Sequence, residues 1–185
     1  MRVLAVSGSL RGSSYNTSLL RAAVEAAPDG IELELWRGIG DLPLYDEDLE
    51  QDVPESVRRL REDWAAADAI LFATPEYNGS VPGVLKNAVD WASRPALEGV
   101  LRNKTVAVVG ASTGQFGALW AQQDLKRILG VAGARVVGTE IPVARAHERF
   151  DHEGRLLDGE IFEQLRLHLT TLASEAVAAA ERVAA

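Results

Sequence analysis

The chain has no cysteine among its 185 residues, which excludes disulfides, thiolate metal sites and cysteine nucleophiles. Histidine is scarce as well: His147, His152 and His168 are the three, and their spacing matches no metal-ligand pattern. No apolar run approaches the ~20 residues that a membrane span requires. The opening "MRVLAVSG" turns to glycine and serine after one short apolar stretch, too brief for a secretory leader. The expected location is the cytoplasm, with no membrane partner. Positive charge is in the minority, with 19 Lys and Arg against 27 Asp and Glu and a formal net charge of -8. A nucleic-acid partner is therefore not expected, and an anionic ligand would need a locally positive site.

What the chain does have is alternation. "RVLAVS" (Arg2–Ser7), "AILFAT" (Ala69–Thr74) and "TVAVVGAS" (Thr105–Ser112) are continuous apolar runs, the pattern of strands buried on both faces. "IELELW" alternates, with Ile31, Leu33 and Leu35 on one side and Glu32 and Glu34 on the other, which predicts a strand near a sheet edge. "ARVVGTEI" (Ala134–Ile141) is the fifth expected strand. Helical spacing fills the intervals. One helix starts near Asn16, with Leu19, Leu20, Ala23, Val24 and Ala27 on one face and Pro28–Gly30 as its stop. Others open at Pro54 with Val57, Leu60, Trp64 and Ala67 in register, run through "GVLKNAVDWAS" after Pro82, end near Gly130, and extend from about Gly159 to the C-terminus. Trp64 is expected in the core; Trp91 and Trp120 are expected in core or interface.

Strands separated by helices imply an α/β fold, a parallel sheet covered on both faces, and the 185-residue length suits a single domain over residues 1–185. Ligands of such sheets bind beyond the C-terminal strand ends, at the topological switch point. With strand order 2-1-3-4-5, three unusual loops would converge there: Gly8–Tyr15, Pro75–Gly83 and Thr113–Gly117. The polar segment Gly38–Pro54 is long for a connection inside a compact domain, and is open to reading as a functional loop or a surface excursion.

The first loop, "GSLRGSSYNTS", has the composition of a phosphate cradle. A helix N-terminus offers free N–H groups and partial positive charge. Ser9, Arg11, Ser13, Ser14, Asn16, Thr17 and Ser18 add side-chain donors, and an arginine makes paired bonds to phosphate oxygens. The loop lacks the Gly-Lys-Ser/Thr of the Walker motif, and "GSLRGS" departs from the dinucleotide fingerprint G-x-G-x-x-G. "SGSLRG" also departs from the G-x-S-x-G of serine hydrolases. The phosphate of a mononucleotide fits best. The second loop, "TPEYNGSVPG", sets an aromatic, an amide and a carboxylate between proline and glycine, suited to the polar edge of a flat heteroaromatic ring. Glu76 is open to two roles, acid/base or helix-capping carboxylate. The third, "GASTGQFG", is small enough to let backbone approach a ring face.

In this order and spacing, "GSLRGSSYNTSLL", "TPEYNGSVPGVLKNAVDW" and "GASTGQFG" resemble the NADPH-dependent FMN reductase family, a flavodoxin-like group that includes quinone, chromate and azo reductases. The likeness runs from Met1 to about Leu157. It implies a flavodoxin-like three-layer sandwich and non-covalent FMN. Ser9, Arg11, Ser14, Asn16, Thr17 and Ser18 would then hold the FMN phosphate. Pro75, Glu76, Tyr77 and Asn78 would contact the isoalloxazine, and Ser112, Thr113 and Gly114 would flank it. The resemblance also implies NADPH or NADH as donor, a small acceptor such as a quinone, flavin or azo compound, and a homodimer or homotetramer. Hydride would pass from nicotinamide through FMN to the acceptor, so no catalytic side chain is nominated. No clear reader of a 2′-phosphate stands out; Arg37 comes nearest. Two further readings remain open at this point: an electron carrier like flavodoxin, and a regulatory protein that kept the fold without its cofactor.

Overall fold

The computed structural model describes residues 1–184, with side chains to 182. The three apolar runs become β1 (Arg2–Ser7), β3 (Ala69–Ala73) and β4 (Thr105–Ala111), and "IELELW" becomes β2 (Glu32–Trp36). All pair in parallel in the order β2-β1-β3-β4, with the short β5 (Arg135–Val136) beyond β4. The order is 2-1-3-4-5. As its alternation predicts, β2 is an edge strand.

Successive residues of a strand point to opposite faces, and both faces here are apolar. Val3, Ala5, Leu71 and Val109 face α1 (Tyr15–Ala26) and α6 (Gly159–Ala184), meeting Leu19, Leu20, Leu165, Leu169 and Leu172. Leu4, Val6, Ile70, Phe72 and Val108 face α2 (Glu55–Ala66), α3 (Gly83–Ala92) and α4 (Leu119–Val131), meeting Leu60, Trp64, Leu85 and Leu125. Trp64 and Trp91 are fully buried, whereas Trp120 is half exposed. Among the described residues, no helix is long and apolar enough to cross a membrane.

The fifth strand differs from expectation. Only Arg135 and Val136 pair with the start of β4; the chain then leaves the sheet and rejoins it as β6 (Pro142–Val143) beside Gly110 and Ala111. The break lies at Gly138, whose φ is +75° and where a Cβ would stand 2.4 Å from the His168 ring. Side chains of α4 take over the backbone bonding: Lys126 Nζ donates to the Gly138 carbonyl (2.9 Å), and Gln122 Oε1 accepts from the Ile141 amide (3.0 Å). A short α5 (Ala146–Arg149) carries His147.

His168 is buried on α6, with no hydrogen-bond partner for its Nε2. Burial, seconded by the Lys126 charge, pushes its pKa down from 6.5 to about 4. In the unfolded chain it takes up a proton near 6.5, while the folded chain resists until about 4. This contribution to stability is thus full above pH 6.5 and is lost as the pH falls towards 4. Unfolding free energy should drop by about 2 kcal/mol between pH 7 and pH 5 from this group. Urea titrations of the wild type and His168→Gln should show the variant losing that component of the pH slope; equal slopes would overturn the assignment.

The segment Gly38–Pro54 is an ordered strap. Asn87 on α3 accepts from the Tyr45 amide (2.7 Å) and donates to the Pro43 carbonyl (2.8 Å). Trp91 Nε1 donates to the same carbonyl (2.9 Å), and the Tyr45 hydroxyl donates to Glu50 (2.6 Å). Asn87 and Trp91 of the "LKNAVDW" run are therefore committed to holding this strap. Lys86 pairs one turn on with Asp90 at 2.7 Å.

Candidate functional site

The loops after β1, β3 and β4 meet beyond the strand ends. They line a cavity of about 170 Å3 formed by Ser9, Arg11, Ser14, Tyr15, Asn16, Pro75, Glu76, Tyr77, Ala111, Ser112 and Thr113. A larger groove, about 500 Å3, lies between α3 and α4. It is away from the switch point and from these loops, so the chemistry is assigned to the smaller cavity.

Its floor is the start of α1. Ser14 is the N-cap, and its Oγ accepts from the Thr17 amide at 3.3 Å. The Tyr15 and Asn16 amides donate to no acceptor among the described residues. They remain free for an anion, in the field of the helix dipole. Arg11 lies across the loop: its Nη2 donates to the Ser13 carbonyl (2.8 Å) and its guanidinium stands 5.5 Å from the Tyr15 ring centroid.

Asn16 faces away from the anion seat. It is 3% exposed, its Nδ2 donates to the Ala111 carbonyl and its Oδ1 accepts from the Ala111 amide, both at 2.9 Å. This two-bond clamp ties the first turn of α1 to the end of β4. Thr17 bonds Ser7 at 2.9 Å on the β2 side of the loop, and the Ser18 side chain faces the turn at Gly154. The side chains of Ser13, Thr17 and Ser18 do not line the cavity.

The second loop is a two-residue hairpin. Tyr77 and Ser80 exchange both backbone bonds (3.0 and 3.1 Å), with Asn78 and Gly79 at φ of +52° and +75°. Positive φ at both central residues is the type I′ turn that Asn-Gly favours, a signal already present in the sequence. Asn78 sits at the exposed tip, outside the cavity, whereas Tyr77 lines it and stays 56% exposed. Glu76 takes the capping role. Its Oε2 accepts from the Trp120 and Ala121 amides (3.1 and 3.2 Å) at the start of α4. The N-cap residue of that helix, Ala118, offers no side-chain acceptor, so a carboxylate from the neighbouring loop serves instead.

The third loop contributes Ser112 and Thr113; Gly114 lies just outside the cavity. The stretch Gly110–Gly114, "GASTG", does fit G-x-S-x-G. Its serine is no hydrolase nucleophile: Ser112 Oγ accepts from the Gly114 amide (3.1 Å), bonds no histidine, and no histidine lines the cavity. Beyond this loop, Phe116 and Trp120 form an exposed aromatic pair with centroids 4.8 Å apart.

A phosphate seat on one side and a shallow slot between two loops on the other is the layout for a mononucleotide with a flat ring. The model of the NADPH-dependent FMN reductase family matches residues 1–148. The chain belongs to this family. It is an oxidoreductase that uses FMN and a reduced nicotinamide, on a flavodoxin-like fold. Curated relatives include an NAD(P)H-dependent FMN reductase of Pseudomonas aeruginosa, 44% identical over 93% of each chain. A 2-hydroxy-1,4-benzoquinone reductase of a Burkholderia species is 37% identical over 92% of this chain and 91% of its own. Among solved structures, the flavoenzyme NAD(P)H:(acceptor) oxidoreductase FerB of Paracoccus denitrificans superposes with a TM-score of 0.81, at 36% identity over 94% of this chain and 97% of that one. The donor set fits FMN: free amides and Arg11 suit its phosphate, and Tyr77, Ser112 and Thr113 border the place for its ring.

Proposed function

We propose that the protein passes two electrons from NADPH or NADH to a quinone-type acceptor, as a cytoplasmic homodimer or homotetramer whose residues 1–185 form one FMN-binding domain. The observation that carries this reading is the convergence of three strand-end loops on one cavity with unpaired amides and Arg11 at one end. FMN, when bound, supplies two-electron exchange between donor and acceptor. The residues of the chain bind and orient. Arg11 and the amides of Tyr15 and Asn16 hold the phosphate. Ser9 and Ser14 border it, and Tyr77, Pro75, Ser112 and Thr113 enclose the ring on its protein side. Glu76 and the Asn16 clamp fix the loops relative to one another. Asn78 and Gly114, next to the lining residues, keep a supporting role as turn residues, while Ser13, Thr17 and Ser18 shape the first loop.

The small cavity volume supports an open ring face. About 170 Å3 is below the ~300 Å3 at which pockets begin to enclose a ligand. With FMN bound, the open side of the cavity would admit the nicotinamide and then a planar acceptor, whose proton would come from solvent. The same openness supports oligomer formation, with a second copy completing the site. Exposed apolar side chains offer a separate surface for a second copy: Leu97 is 78% and Val131 83% exposed, and both line the groove between α3 and α4. The relatives described as quinone reductases support the acceptor class.

Anaerobic mixing of the FMN-loaded protein with NADPH should bleach oxidised flavin within seconds, and a benzoquinone should restore the colour. Flavin that stays oxidised for many minutes with both nucleotides would make the protein an electron carrier and overturn the proposal.

A further inference from the structure

The crevice continues past the first loop towards β2, and the continuation has a chemistry of its own. A second cavity of about 360 Å3 shares Ser9 and Arg11 with the first. Leu10, 63% exposed, and Trp36 give it an apolar wall. Trp36 is held in place: its Nε1 donates to Asp63 at 2.9 Å and its ring stands edge-on to Trp64, 5.6 Å between centroids. Gly38, at φ +123°, passes so close that a Cβ there would touch the indole at 3.4 Å. Arg11, Arg21 from α1 and Arg37 just after β2 line the same space, with Asp41 as the opposing carboxylate. With Arg11 assigned to the FMN phosphate, Arg21 and Arg37 against Asp41 still leave a local excess of positive charge in a chain of formal charge -8. The guanidinium groups of Arg21 and Arg37 make neither a hydrogen bond nor an ion pair among the described residues.

We propose that this cavity receives the adenosine end of the donor nucleotide, with Arg21 and Arg37 binding the 2′-phosphate that distinguishes NADPH from NADH, and Trp36 and Leu10 seating the adenine. The assignment rests on the reductase reading above. The chemistry matches on three counts. A phosphate monoester calls for arginine forks, which bind it through paired charge-assisted bonds. A purine calls for a flat apolar or aromatic face. By analogy with dinucleotide-binding α/β folds, where a carboxylate after the first loop holds a ribose hydroxyl and an arginine nearby accommodates a 2′-phosphate, an arginine just after the second strand suits the same group. Here that position is Arg37, while Glu34 is committed to Arg2 at 3.3 Å. The two cavities meet at Ser9 and Arg11, the phosphate end of the first, so a dinucleotide with its nicotinamide at the ring would extend past the FMN phosphate into this cavity.

The test uses FMN-loaded protein and the exposed-site variants Arg21→Gln, Arg37→Gln and the pair together. Calorimetry with 2′,5′-ADP, which carries the 2′-phosphate but no nicotinamide, is compared with 5′-AMP. The wild type should bind 2′,5′-ADP about tenfold more tightly than 5′-AMP, and the double variant should lose that preference. In turnover, the KM for NADPH should rise about threefold in each single variant and about tenfold in the pair, with kcat, the KM for NADH and FMN content unchanged. Equal affinity for the two nucleotides in the wild type, or unaltered 2′,5′-ADP binding in the double variant, would overturn the proposal while leaving NADH oxidation, and so the reductase reading, intact. A protein that oxidises neither dinucleotide would overturn both.

Discussion

Asn16→Ala should destabilise the protein by about 2–5 kcal/mol, an effect larger than any single solvent-facing change to the site. The physical basis is the pair of 2.9 Å bonds with the Ala111 amide and carbonyl. Ala111 is 2% exposed and Asn16 3%, so water does not replace the lost partner. Leaving a buried donor or acceptor unsatisfied costs about 1–3 kcal/mol, and alanine strands one of each. Asn16→Asp separates the two bonds. A carboxylate still accepts from the Ala111 amide but meets the carbonyl oxygen without a donor, so its loss should be at least half that of alanine. Urea unfolding read by far-UV circular dichroism measures both. A midpoint unchanged in Asn16→Ala would show that the clamp contributes nothing to stability. Because the clamp fixes the α1 start against the β4 end, FMN affinity should fall in the same variants, even though the Asn16 side chain is turned to Ala111 and away from the anion seat.

That residue also shows what the sequence reveals and what it withholds. The serine, glycine and asparagine content of the first loop was enough to place a helix start and an anion seat, because N-capping and free amides are local properties. Ser14 caps where the composition says a cap belongs. The partner of Asn16 lies 95 positions away, and no local pattern tells a phosphate donor from a cross-strand clamp. Glu76 repeats the lesson: its bonds are to a helix start 44 and 45 residues on, visible only once the two loops are neighbours. The parallel strands and the edge were legible, because continuous apolar runs mark buried parallel strands and the charged alternation of "IELELW" marks an edge, whereas the order 2-1-3-4-5 was a supposition consistent with the flavodoxin-like resemblance. The fifth strand was not, since "ARVVGTEI" is apolar enough for a strand and its interruption is set by the His168 ring of α6 pressing on Gly138. The second cavity was hidden for the same reason. Arg21, Trp36 and Arg37 stand on two elements, and only their packing brings the guanidinium groups and the indole to one space.

Arg11→Ala should weaken FMN binding about ten- to a hundred-fold. A charged hydrogen bond contributes about 1.5–3 kcal/mol, which corresponds to that range. The side chain is already oriented for phosphate, since the Ser13 carbonyl holds one nitrogen at 2.8 Å and the Tyr15 ring supports the guanidinium plane at 5.5 Å. Little side-chain entropy is then lost on binding, and the remaining donors of the fork stay available to the phosphate. Arg11→Lys keeps the charge but not the fork, so its loss should be smaller and more sensitive to salt. Because Arg11 is exposed and makes no buried contact, the urea midpoint of the FMN-free protein should hardly move, in contrast to Asn16→Ala. Fluorescence titration of the FMN-free variants gives the affinities directly. Riboflavin, which lacks the phosphate, supplies the control: its affinity should be the same in wild type and Arg11→Ala. Equal FMN affinity in the two proteins would show that the helix amides alone hold the phosphate, and a parallel loss for riboflavin would show that Arg11 acts on the ring or the loop instead.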